Sequence, residues 1–175
     1  MNLEKYRQYS RIARGMEDAD LVLKDARIVN VFTEEIIRGD IAIQDGIIAG
    51  IGSFHGKEER NLAGKYVCPG FIDSHLHLES TLVTPAELVT VASRHGTTTF
   101  IVDPHESANV SGLKGIDYIL EQTENVKANV YVMMPSCVPA TSIDDNGCTL
   151  TAEDMAPYLH NSRILGLGEV MDSIS

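Results

Sequence analysis

The sequence predicts an α/β protein with two regions of different pattern. Residues 21–51 contain short Val- and Ile-rich segments separated by Asp, Gly and Glu, which is typical of the strands of a small β domain. After residue 65, strand-like segments alternate with helical ones, as in parallel βαβ units. The four strands and three helices of this region would form the N-terminal part of a TIM-like (β/α)8 barrel, although a doubly wound open sheet has the same pattern.

The first domain is expected over residues 1–65. Leu3–Arg14 is predicted to form a short surface helix, and residues 21–51 an antiparallel unit of roughly three to five strands. Asp45-Gly46 is a two-residue hairpin signal, because both turn positions need a positive φ. The polar residues 53–65 are interpreted as a connection to the next domain.

The second domain is expected over residues 66–175, as the incomplete first half of a barrel, since a whole barrel takes about 250 residues. Thr84-Pro85 predicts the start of one helix, and Thr151 with Asp154 predicts a capping box at another. The predicted strands are 66–75, 97–102, 130–134 and 164–169, and the predicted helices are 84–94, 116–122 and 151–159.

Composition excludes several classes of partner. The formal net charge is −11 and no Lys/Arg-rich stretch occurs, so nucleic acid and anionic membranes are not expected to bind. The three cysteines include no CxxC pair, and the N-terminal residues lack the apolar core of a signal peptide. We therefore expect a cytoplasmic protein that acts on a small molecule.

Three groups of polar residues follow predicted strands. His75 and His77 are two apart on a strand and so share a face, which allows both imidazoles to bind one metal ion. The segment Asp103-Pro104-His105-Glu106 puts three ionisable groups after the next strand; it could be functional or could cap a helix. Glu169 ends the fourth strand, at the position equivalent to His75.

One further pattern is interpreted as a coincidence. His77-Leu78-Glu79 matches the H-x-E of nucleobase deaminases that bind zinc through cysteines. The PCxxC partner of that motif is absent, because the nearest segment reads Pro135-Ser136-Cys137-Val138-Pro139.

Four blocks resemble a known family. PGFIDSHLHLES (69–80) resembles the first metal-binding strand of the amidohydrolase superfamily. HGTTTFIVDPHESANVSG (95–112), MPSCVPAT (134–141) and GLGEVM (166–171) resemble the adenine deaminases more narrowly. The strands at 21–51 are similar to the β-sandwich-type domain that flanks the barrel in many amidohydrolases.

The resemblance implies a binuclear site of Mn, Fe or Zn and hydrolytic deamination of adenine to hypoxanthine and ammonia, a purine-salvage reaction, by a metal-activated hydroxide. His75 and His77 would bind one metal, and Glu169 would take the bridging position that a carboxylated lysine has in many relatives. Asp103 and His105 would be the catalytic groups of this chain near the metal or the substrate, and Ser136 would contact the base. A homo-oligomer is also implied.

The resemblance also implies that further metal ligands and a proton-shuttling aspartate lie beyond Ser175. The chain is therefore expected to be a fragment that is inactive alone. Two alternatives remain open from the sequence: another amidohydrolase, acting on cyclic amides or deacetylating amino sugars, and a non-catalytic folded fragment.

Overall fold

A computed structural model describes residues 2–172. It divides the chain into two compact units, Met1–Pro69 and Gly70–Ser175. Both helices and sheets are present, so the α/β class is confirmed. Within residues 2–172, no helix combines the length and the apolar character needed to cross a membrane.

The first unit contains one helix and a five-stranded sheet. Its helix, α1, covers Leu3–Ala13 and begins where the Asn2 side chain accepts a hydrogen bond from the Lys5 N–H. The strands are β1 (Ala19–Asn30), β2 (Glu35–Gln44), β3 (Ile47–Gly52), β4 (Gly56–Asn61) and β5 (Tyr66–Val67). The order is β3-β2-β1-β4, and β5 also pairs with β1.

The hairpin prediction is confirmed. Strands β2 and β3 are antiparallel and close with Gln44 opposite Ile47. Asp45 and Gly46 between them have φ values of 51° and 75°, the left-handed conformation that this turn requires.

Over residues 21–51 the strands β1, β2 and β3 pair antiparallel, as predicted. The sheet extends beyond that range, because β4 and β5 run parallel to β1. Strand β4 lies in the segment interpreted as a connection, and nearly all of its residues are exposed. Its sequence GKEERN therefore lacks the apolar alternation by which a half-buried strand is recognised, and a charged strand of this kind is typical of a sheet edge.

A buried carboxylate stabilises the first unit. Asp40 is 8% exposed; its Oδ2 accepts a 2.6 Å bond from Nζ of Lys24, and its Oδ1 accepts one from the Asp25 N–H. Burial alone would raise the pKa of Asp40, but these bonds and one from the Phe54 N–H outweigh it and lower the pKa. The carboxylate thus joins β1, β2 and the segment before β4.

The second unit contains a parallel four-stranded sheet, ordered as in the sequence: β6 (Phe71–Leu76), β7 (Thr97–Val102), β8 (Asn129–Met134) and β9 (Ile164–Leu167). Its α-helices are α2 (Pro85–Ser93), α3 (His105–Ser111), α4 (Leu113–Gln122) and α5 (Ala152–Met155), with 3₁₀ turns at Glu79–Thr81 and Ala156–His160. One apolar core packs strands against helices, including Phe100 and Val132 from the sheet and Ile116 from α4.

Both predicted helix caps are confirmed. The Thr84 side chain accepts from the Glu87 N–H with Pro85 in the first turn, and Thr151 and Asp154 form a reciprocal capping box. The helix predicted over 151–159 changes to a 3₁₀ turn after Met155, where Pro157 cannot donate a backbone hydrogen bond. The prediction around 116–122 missed α3, a separate helix of seven residues before α4.

The predicted strand 66–75 is two strands. Tyr66–Val67 pairs with β1 in the first unit, whereas Phe71–Leu76 pairs with β7 in the second. Pro69 and Gly70 lie between them, and proline cannot donate to a sheet ladder. The first residues of β6 are exposed: Phe71 is 65% exposed and Ile72 is 62% exposed.

Candidate metal centre

Polar side chains meet at the carboxyl edge of the parallel sheet. Strand β6 ends at Leu76, β7 at Val102 and β9 at Leu167. The residues that follow, His77, Asp103 and Glu169, therefore come from one edge although they are far apart in sequence. The carboxyl ends of parallel strands are where ligand-binding groups commonly collect.

The histidines and the glutamate predicted as metal ligands are brought together. Nε2 of His75 lies 3.7 Å from Oε2 of Glu169, and Nε2 of His77 lies 3.4 Å from Oε1 of the same carboxylate. The two imidazole rings are 4.9 Å apart and nearly perpendicular. One potential ligand atom from each residue lies within 4.8 Å of the other two.

These separations fit a shared cation better than direct hydrogen bonds. Gaps of 3.4 and 3.7 Å exceed the usual N–H···O distance of about 2.9–3.0 Å. Two ligand atoms bound about 2.1 Å from one ion at a tetrahedral angle would lie about 3.4 Å apart. Two imidazole nitrogens and a carboxylate oxygen suit Zn, Mn or Fe. The residues present therefore fit a divalent metal.

The second nitrogen of His77 faces another carboxylate. Nδ1 is buried and lies 3.2 Å from Oε2 of Glu106, although the two are not aligned as a regular hydrogen bond. Ser80 donates a 3.2 Å hydrogen bond to the other oxygen of Glu106. In metal sites, a carboxylate beside the free nitrogen of a histidine ligand fixes its tautomer and orientation. Glu106 is placed to do so for His77.

Glu79 extends this arrangement and was missed by the sequence reasoning. Its Oε1 accepts a 3.0 Å hydrogen bond from the Ser107 N–H in the first turn of α3. Its carboxyl group lies close to the carboxyl group of Glu106 and to the imidazole of His77. Burial raises the pKa of Glu79, and the neighbouring Glu106 raises it further. The H-x-E spacing of His77 and Glu79 was the sequence signal by which Glu79 could have been identified.

Asp103 and His105 form a buried ion pair beside the candidate metal ligands. Asp103 is 1% exposed; its Oδ2 accepts a 3.0 Å bond from the Glu169 N–H, and its Oδ1 faces Nδ1 of His105. Burial alone would lower the pKa of His105, but Asp103 outweighs it and raises the pKa. The glycine at position 168 allows the Asp103 carboxylate to approach the backbone before Glu169, because a Cβ on residue 168 would lie 2.8 Å from Cγ of Asp103.

Ser136 lies near the same edge, but its hydroxyl is already engaged. It donates a 2.6 Å hydrogen bond to the carbonyl oxygen of Glu169. This bond fixes the backbone that carries the Glu169 carboxylate. A contact between Ser136 and a substrate stays a prediction, as do the roles of the other site residues.

A cavity of about 530 Å³ opens beside these residues. His77, His105, Glu106, Cys137 and Glu169 contribute to its lining. Its volume is within the range of small-molecule sites, which is about 300–1,000 Å³.

Comparison with known proteins matches this chain to one family. Residues 66–168 match the model of the amidohydrolase family. The chain is 58% identical to the adenine deaminase of Desulfitobacterium hafniense over 175 residues, all of this chain and 31% of that protein. It is 53% identical to the adenine deaminase of Clostridium acetobutylicum over 91% of this chain and 28% of that protein. Adenine deaminase 2 of Carboxydothermus hydrogenoformans is 51% identical over 92% of this chain and 28% of its own length.

A solved structure has a similar fold at low sequence identity. N-acyl-D-glutamate deacylase from Bordetella bronchiseptica, in complex with zinc and a phosphonate inhibitor, aligns with a TM-score of 0.55 and 20% identity, over 80% of this chain and 34% of that one. The chain spans less than a third of the length of the three adenine deaminases. By the match over residues 66–168, it belongs to the amidohydrolase family.

Proposed function

We propose that this chain supplies the first strands of a (β/α)8 barrel in an enzyme that hydrolyses adenine to hypoxanthine and ammonia. The observation that carries the proposal is the convergence of His75, His77 and Glu169 at one sheet edge. The sequential order of the parallel strands and the adenine deaminase relatives support it. The β-sandwich-type nature of residues 1–65 and a homo-oligomeric state are part of the same proposal.

The three residues would hold a divalent cation, and in a binuclear site of Mn, Fe or Zn the Glu169 carboxylate would be one of the ligands. When bound, such a cation supplies Lewis-acid activation of water for hydrolysis at neutral pH. Nε2 of His77 faces this position, while its Nδ1 is directed at Glu106. Glu106 thereby holds the imidazole in the orientation in which Nε2 is free to act as a ligand.

Asp103 positions the backbone of Glu169. Its hydrogen bond from the Glu169 N–H fixes the end of β9, and the Ser136 hydroxyl fixes the carbonyl of the same residue. His105, held by Asp103, lines the cavity where a planar base would lie. In adenine deamination one C–N bond breaks, water supplies the new oxygen, and the amino group leaves as ammonia. His105 is suited to holding or moving a proton in this cavity.

A chimaera tests the function directly. This chain would replace the aligned 175-residue segment of the Desulfitobacterium hafniense adenine deaminase, and ammonia release from adenine would be measured. We expect activity within about tenfold of the parent enzyme and a strong preference for adenine over adenosine. A second chimaera carrying Glu169→Gln should lose at least about a hundredfold, because the ligand charge is removed. A folded, metal-loaded chimaera with no activity on adenine would refute the proposal.

A different amidohydrolase reaction remains the second candidate. The similarity of fold to a deacylase favours testing it, since amide hydrolysis can use the same donor set. If the chimaera hydrolysed dihydrouracil and released no ammonia from adenine, the cyclic-amide alternative would be favoured.

A further inference from the structure

We propose that the second unit binds the phosphate group of a small molecule in a cavity between α2 and the segment that precedes β8. The cavity has a volume of about 560 Å³ and shares no lining residue with the cavity beside the candidate metal centre. Arg94 lies before β7 and Lys127 before β8, so the cavity is at the amino edge of the sheet, opposite the candidate metal ligands. Binding there does not depend on the proposed deamination.

Two cationic side chains line this cavity without a carboxylate beside them. Asp and Glu far outnumber Lys and Arg in the chain, yet Arg94 and Lys127 line the cavity and no Asp or Glu of the described residues does. Within residues 2–172, neither cationic side chain takes part in an ion pair or a hydrogen bond. In the first unit, by contrast, Lys5, Lys24 and Lys57 are each paired with an aspartate. Two neighbouring cations without counter-charges attract a small anion.

A buried hydroxyl group is an independent indication that the cavity receives a polar ligand. Ser93 lines the cavity, and its Oγ is buried without a hydrogen-bond partner in the part of the chain that the structure describes. Helical hydroxyls commonly donate to the carbonyl four residues earlier, as Thr90 does to Ala86. A buried hydroxyl without a partner costs free energy unless a ligand or water satisfies it. A phosphate oxygen would accept a hydrogen bond from Ser93.

The lining side chains select the class of anion. A guanidinium, an ammonium and a hydroxyl are the donors that bind phosphate oxygens in proteins. Helix α2 ends at Ser93, so its dipole places partial negative charge here and the attraction must come from Arg94 and Lys127. A volume of about 560 Å³ is typical of small-molecule sites and leaves space for an organic group against Val89 and Val126. The ligand is therefore inorganic phosphate or a small phosphate monoester.

Phosphate binding to the metal-free 175-residue chain tests the proposal. Isotopically labelled protein in EDTA is titrated with inorganic phosphate, phenyl phosphate or phenol, and the backbone amide resonances are followed by NMR. EDTA removes divalent cations through which phosphate could bind at the candidate metal centre. We expect saturable shifts at residues 90–94 and 125–127 with both phosphates and not with phenol. Tighter binding of phenyl phosphate would assign the site to a monoester, and equal affinity would assign it to free phosphate.

Charge-matched variants separate a specific site from a general attraction to cations. Arg94→Gln and Lys127→Gln should each weaken the binding of inorganic phosphate at least about fivefold, because each removes a charged hydrogen-bond donor. Lys114→Gln removes the same charge from a different cavity, which Glu79 and Glu106 also line, and should leave the affinity unchanged. Arg94 and Lys127 are exposed, so their replacement is not expected to impair folding.

Replacement of the buried serine separates ligand binding from a structural role. Ser93→Ala should weaken phosphate binding several-fold without lowering the thermal unfolding temperature, because the hydroxyl has no hydrogen bond to lose in the part of the free protein that the structure describes. The proposal is overturned if phosphate shifts no resonances near the cavity, or if the shifts are spread over both units. It is also overturned if Arg94→Gln and Lys114→Gln lower the affinity equally. None of these measurements depends on catalytic activity.

Discussion

Removal of the Asp103 carboxylate is expected to destabilise the second unit more than any surface change. Asp103→Ala leaves the Glu169 N–H without its 3.0 Å acceptor and leaves the imidazole of His105 buried without its counter-charge. Breaking a buried ion pair typically costs about 3–5 kcal/mol, and a lost hydrogen bond to a charged group about 1.5–3 kcal/mol. Because these terms overlap, we expect a total of about 3–5 kcal/mol. Asp103→Asn keeps an acceptor for the Glu169 N–H and should cost less.

Hydrogen exchange measured by mass spectrometry tests this prediction, because it resolves the two units. Peptides from β7 and β8 should exchange at least about a hundredfold faster in Asp103→Ala, whereas peptides from β1 and β2 provide an internal reference. Glu121→Ala, at an exposed carboxylate on α4, is the matched control and should change stability by less than about 0.5 kcal/mol. Unchanged exchange of β7 and β8, or an equal change in both units, would refute the reasoning.

Two further predictions concern other carboxylates. Glu106→Gln should weaken divalent-metal binding by about 10- to 100-fold, because His77 loses the carboxylate that orients its imidazole. Equilibrium dialysis measures the affinity, and Glu87→Gln, at an exposed carboxylate, is the control. Asp40→Asn should destabilise the first unit by about 1–3 kcal/mol at pH 7, measured by hydrogen exchange of β1 and β2. Folding lowers the pKa of Asp40. The ionised carboxylate therefore contributes its full stabilisation of the first unit above about pH 3.9, and this stabilisation is lost as the pH falls through the pKa of the folded state. The acid sensitivity of the first unit should therefore be weaker in Asp40→Asn, and an unchanged pH profile would contradict this reading.

Local signals predicted much of the fold. The Asp45-Gly46 turn and the Thr84 and Thr151 caps depend on the conformations and hydrogen bonds of a few neighbouring residues, which the sequence displays directly. The pairing of β4 with β1 could not be predicted in this way. It depends on backbone bonds between distant segments, and the charged side chains of β4 give no apolar pattern.

The convergence of the candidate metal ligands was predictable for a related reason. Parallel strands end at one edge, so His77 and Glu169 meet without any knowledge of loop conformation. The contacts of the surrounding side chains could not be predicted in this way, because they depend on the conformations of the loops. Glu79 reaches Ser107 through the turn at Glu79–Thr81, and the Ser136 hydroxyl is engaged by the Glu169 carbonyl rather than left free.

The central claim is that His75, His77 and Glu169 bind one divalent cation together. The most direct measurement is calorimetric titration of the 175-residue chain with Zn²⁺ or Mn²⁺, for the parent chain and for His77→Ala and Glu169→Gln, with the exposed His160→Ala as control. We expect both site variants to lower the affinity by at least about tenfold and His160→Ala to leave it unchanged. An affinity that does not differ between the parent chain, His77→Ala and Glu169→Gln would contradict the account.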